Sequence, residues 1–110
     1  MPDSDLHKEE LDYLIRYAHM APVYFSPLRD AAEKIAGKDG SESEIQQITL
    51  NLISDMIDQG IRVGDMSAKD GEGVIPWDVP KDDTLRRVAD EMRQHQDPVD
   101  FIDICWFSAI

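Results

Sequence analysis

The sequence predicts an α+β domain: four helices with a small, mainly antiparallel sheet, in the winged-helix-like order α-α-α-β-β-α-β. Three observations carry this. Apolar residues recur at helical spacing in four separate stretches. A Gly at position 60 is followed at once by an alternating run, IRVGDM, and a Gly-rich turn. The chain closes on an apolar segment, FIDICWFSAI, with strand character. At 110 residues the chain makes one domain, 1–110, with a modest core.

The first four residues are polar and are expected to fray. A first helix is expected from about Asp5 to Met20. Leu11, Leu14, Ile15 and Ala18 give it a narrow apolar stripe. Glu9, Glu10 and Asp12 sit in its N-terminal half, where the helix dipole favours anions. Pro22 stops it. Val23, Tyr24 and Phe25 form an apolar link. Ser26 then caps a second helix with Pro27 at its first position. Its face is Leu28, Ala31, Ala32 and Ile35, and Gly37 ends it.

The central helix reads SESEIQQITLNLISDMIDQG. Ser41 followed three residues later by Glu44 is a capping-box signature. Ile45, Ile48, Leu52, Ile53, Met56 and Ile57 line one face, and Gly60 suits the left-handed position past a helix end. Residues 41–59 carry Glu42, Glu44, Asp55 and Asp58 with no Lys or Arg. The hairpin strands are expected at IRVGDM and VIPW, joined through Asp70-Gly71 and Gly73. Pro76 has no amide donor, so its strand is an edge or ends there. A fourth helix carries Leu85, Val88, Ala89 and Met92, with Asp82 and Asp83 near its start and Arg93 and His95 near its end. Asp97-Pro98 ends it. The terminal strand is expected to be covered on both faces near its end. Ile48, Leu52, Met56, Leu85, Val88 and Trp106 should share one core.

Charge limits function more than any motif does. The chain holds 23 Asp and Glu against 11 Lys and Arg, a formal net charge of −12. Nucleic acid and anionic lipid are polyanions, so this balance opposes both. In a DNA-binding winged helix the third helix enters the major groove with basic and amide side chains outward. Here that helix is acidic, so winged-helix order does not imply DNA reading. The charge favours a basic partner, or serves solubility alone.

No catalytic constellation stands out. His7, His19 and His95 lie on separate segments, and one cysteine cannot complete a structural zinc site. No metal, cofactor or enzymatic activity is expected. Cys105, inside IDICWF, reads as a core thiol, and one cysteine allows no intrachain disulfide. DMSAKDGEG lacks calcium-loop spacing: from Asp65 the fifth position is Lys69 and the twelfth is Pro76. GEG is followed by no GK[ST], so it is no phosphate loop. No apolar run is long enough to span a membrane. MPDSDLHKEE has neither the basic nor the apolar region of a signal peptide, so a cytoplasmic, reducing compartment is the simplest expectation.

The runs DMIDQGIRVGD, VIPWD, LRRVADE and the terminal IDICWF resemble a class of small acidic bacterial proteins. Some of these are immunity proteins encoded beside contact-dependent or other polymorphic toxins. The resemblance covers about residues 45 to 107 and rests on structural motifs. It implies a protein that sequesters a toxic domain, often a basic nuclease, and it assigns no functional residue. From charge, the partner-binding candidates are Glu42, Glu44, Asp55 and Asp58 on the central helix and Asp65, Asp70 and Glu72 in the wing. Tyr24 and Trp77 are the candidate aromatic anchors. Other classes stay open: a winged-helix-like interaction module, self-association through a sheet edge, and a small ligand-binding protein or enzyme whose pocket the sequence does not reveal.

Overall fold

Helix α3 (Glu42–Asp58) is the element on which the others pack. Its Leu52, Ile53 and Met56 are fully buried, as the spacing predicts. The computed structural model describes residues 2–67, 73–94 and 104–109, with side chains from Asp5 onward. The elements are α1 (Pro2–Met20), α2 (Ser26–Ala36), α3, β1 (Arg62–Met66), β2 (Val74–Pro76), α4 (Lys81–Gln94) and β3 (Trp106–Ser108). Among the described residues, four helices and a three-stranded antiparallel sheet make an α+β fold in the expected order.

Two helix starts differ from expectation. α1 begins at Pro2, not near Asp5. Proline is tolerated in a first turn because its missing amide has no helical partner there. α2 includes Ser26 as its first residue, Phe25 occupies the cap position without a side-chain cap bond, and Pro27 sits one place further in. Phe25 is wholly buried, and its carbonyl receives the Leu28 amide at 3.0 Å. Packing of the phenyl ring therefore sets where the turn begins. The α3 start is as read: the Ser41 hydroxyl accepts from the Glu44 amide at 3.1 Å. Gly60, at φ 92°, follows the Gln59 cap in the left-handed region.

The sheet order is β2-β1-β3. The Trp77 amide donates to the Val63 carbonyl at 2.9 Å and the Ser67 amide to Gly73 at 2.8 Å. With Asp65 opposite Ile75, strand alternation turns Val74 and Pro76 to the free edge. Pro76 removes a donor there, so this edge is a poor template for another strand. On the other side β3 exchanges two 2.8 Å bonds between Phe107 and Val23, which ties the α1–α2 link to the sheet.

The terminal strand is shorter than the sequence suggests. Ile104 and Cys105 are buried but precede it, and Ile102 and Asp103 lie outside the described residues. Trp106 is half-buried and stands outside the core cluster. Phe107 takes the core place, fully buried with its ring 6.4 Å from that of Phe25. Successive strand residues face opposite ways, so burying Phe107 sends Trp106 to the other face. Ile48 and Leu85 pack on the core from partly buried positions. Thr49 and Thr84 are buried beside them in sequence, and the Thr49 hydroxyl donates to the Ile45 carbonyl at 2.8 Å. No helix among the described residues is long and apolar enough to cross a membrane.

Candidate functional site

The acids of α3 are not a free anionic face. Glu42, in the first turn, accepts two hydrogen bonds from the Arg29 guanidinium at 2.8 and 2.6 Å and one from Gln46 at 2.9 Å. Arg29 rises from α2 and is itself buried, with its Nε 3.2 Å from Glu33. The forked hydrogen bonds from Arg29 hold the Glu42 carboxyl below its ordinary range, against the opposing effect of partial burial. The same bonds raise the Arg29 guanidinium. At the other end of the helix, Asp55 meets His7 Nε2 of α1 at 2.8 Å, and Asp58 meets the Lys81 ammonium of α4 at 2.8 Å.

Each base comes from a different neighbouring element, so the base-free stretch is matched by the tertiary fold. Glu44 stays exposed, with no side-chain partner among the described residues. Glu42 and Asp58 are also about 24 Å apart along the helix, at 1.5 Å per residue. The candidates therefore do not make one patch. Asp65 is exposed on β1. Asp70 and Glu72 lie outside the described residues.

Trp77 is also engaged. The Arg87 guanidinium lies over its ring, 3.7 Å from the centroid, and its indole N–H is buried without an acceptor among the described residues. A ring already covered by an internal cation offers less surface to a partner. Around it, Ile75 and Val79 are exposed apolar side chains.

Tyr24 lines a cleft of about 480 Å³ between α1 and α2. Glu9, Glu10, Tyr13 and Tyr17 line it from α1; Pro27, Asp30, Ala31 and Lys34 line it from α2. The chain has three tyrosines, and all of them face this cleft. Tyr13 and Tyr17 make an edge-to-face pair with centroids 6.1 Å apart, and Tyr24 leans on Trp106 at 6.0 Å. Three carboxylates stand against the single ammonium of Lys34, which reaches Glu10 at 3.5 Å.

Sequence reasoning finds Tyr24 here and misses the rest. Glu9 and Glu10 read only as dipole partners. A signal was present: Glu9, Tyr13 and Tyr17 recur every four residues and share one helix face.

Cys105 is fully buried, and that burial pushes its thiol well above the usual range, with Glu91 and Asp65 adding to the shift. Such burial disfavours the nucleophilic thiolate in the folded protein. Among the described residues, no group of three His, Cys, Asp or Glu side chains is placed to hold a metal ion. No family model, no curated protein and no solved structure matches the chain.

Proposed function

We propose that this domain is an acidic protein-binding module that sequesters a basic protein, of the kind an immunity protein forms with a toxic nuclease domain. The observation that carries the reading is the net charge of −12 on 110 residues. A nuclease domain is basic because its substrate is polyanionic. An acidic surface speeds its capture and competes with that substrate. The resemblance of about residues 45 to 107 to a class of small acidic bacterial proteins, some of which are immunity proteins, supports the same direction.

The test is to express the neighbouring genes one by one and, where one is toxic, to co-express this chain with it and then mix the two purified proteins. Protection of the cells, with a complex whose association slows as salt rises, is the expected result. No protection and no complex at low salt would remove the reading. The same charge opposes duplex DNA, and a mobility-shift assay should show no saturable binding near physiological salt.

A further inference from the structure

We infer that the cleft between α1 and α2 receives an arginine side chain of the basic partner, with tyrosine rings flanking the guanidinium and carboxylates accepting its N–H groups. The inference rests on the proposed function for the partner's charge, and it names the place and the chemistry of contact.

The cleft's lining combines two features. Its walls are aromatic, and its polar groups are mainly carboxylates. Glu10 is the most telling: its side chain is 15% exposed, yet its only ionic contact among the described residues is the 3.5 Å approach of a lysine that is itself 67% exposed. A sheltered carboxylate with so loose a partner has acceptor capacity to spare. Glu9 and Asp30 add negative charge at exposed positions. Tyr13, 51% exposed, presents aromatic surface at the rim.

A guanidinium uses both features at once. Its planar fork donates in parallel to a carboxylate, and its face stacks on an aromatic ring. It is also less strongly hydrated than an ammonium, so it gives up less on entering. Pro27 and Ala31 supply an apolar bed for its methylene stem. The volume is within the range that holds a side chain with parts of its neighbours. Three carboxylates and one lysine disfavour an anionic occupant.

The full chain should be titrated at low ionic strength with a tetra-arginine peptide and, separately, a tetra-lysine peptide of equal charge, followed by amide NMR shifts. Tetra-arginine should bind more tightly and shift amides of residues 9–17 and 24–34. Glu10→Gln is isosteric, and Tyr13→Leu removes the aromatic face at an exposed position. Each should weaken tetra-arginine binding roughly 3- to 10-fold, the size of a partly desolvated cation–π or charge-assisted contact. A charge-lowering control, Asp78→Asn with Asp82→Asn, lies outside the cleft and should change affinity by less than about twofold. Circular dichroism confirms that each variant is folded.

Equal weakening by the control, or shifts spread over α4 and the sheet, would overturn the cleft and leave the acidic-module reading standing. Equal affinity for the two peptides would overturn the assignment to arginine. No binding of either peptide at low salt would remove both the cleft and the function on which it rests.

Discussion

Arg29 and Glu42 lock α2 to the start of α3 through two hydrogen bonds of 2.8 and 2.6 Å between a buried guanidinium and a half-exposed carboxylate. The pair ties the buried Arg29 of α2 to the first turn of α3. Glu42→Gln should lower stability by about 1.5–3 kcal/mol, the range for hydrogen bonds to charged groups. The pH dependence has a definite sign. The folded-state Glu42 carboxyl is held below its ordinary value of 4.5 by Arg29. Its contribution is therefore complete above that value and is lost as pH falls through the lower, folded one. Urea denaturation from pH 6 down to pH 3 should show a shallower acid loss in Glu42→Gln than in the unmodified protein.

Gly64 is the second point where one residue decides local structure. A β-carbon placed there would lie inside van der Waals contact with the carbonyl of Ile75 and close to the backbone of Pro76. These are backbone atoms of the neighbouring strand, which no rotamer change can move. Gly64→Ala should cost toward the upper end of the about 1–3 kcal/mol typical of overpacking. It should also raise amide exchange across the β1–β2 pair. Wild-type stability in this variant would mean that the strands do not approach this closely in solution.

Cys105 gives a prediction about reactivity. Its thiol is buried and shifted upward chiefly by that burial, so the thiolate is scarce at neutral pH. A thiol reagent should label it at the global unfolding rate in the native protein and within seconds in denaturant. Fast native labelling with one-to-one stoichiometry would contradict the burial of Ile104, Cys105 and Phe107.

The helices are legible in the sequence because each contact that defines them is local. Leu14 and Ala18, or Leu52 and Met56, declare a buried face by spacing alone. Ser41 and Gly60 mark the ends of α3 by backbone chemistry that acts within a turn. The charge pairs are not legible, because the partners of the α3 acids stand 13, 48 and 23 residues away. Nothing local tells which arginine is buried or which histidine turns inward. Trp106 shows the same limit in a strand. An apolar run such as ICWF does not say which of its two faces meets the helices, and a one-residue difference exchanges Trp106 for Phe107. The cleft escaped for a related reason: its tyrosines come from α1 and from the link to α2, and only packing makes them one surface.

The split within the α3 acids yields the last prediction. Glu42, Asp55 and Asp58 each have a cationic or imidazole partner inside the fold, whereas Glu44 has none among the described residues. Amide replacement should therefore separate two effects that a count of charges would merge. Glu44→Gln should leave the unfolding midpoint nearly unchanged, within the ±0.5 kcal/mol usual for surface substitutions. Asp58→Asn breaks an exposed pair and should cost about 0–1 kcal/mol. Glu42→Gln should cost the most, because it leaves the buried guanidinium with a weaker acceptor. In binding, the order differs. Charge beyond the contact acts mainly on association rate and its salt dependence, so Glu44→Gln should slow association with a basic protein while sparing stability. Stopped-flow association at two salt concentrations, beside urea denaturation of the same variants, reads both quantities. Equal stability losses at positions 42 and 44 would show that the Arg29 fork contributes nothing special. An unchanged association rate for Glu44→Gln at low salt would place the partner's encounter away from the N-terminal end of α3.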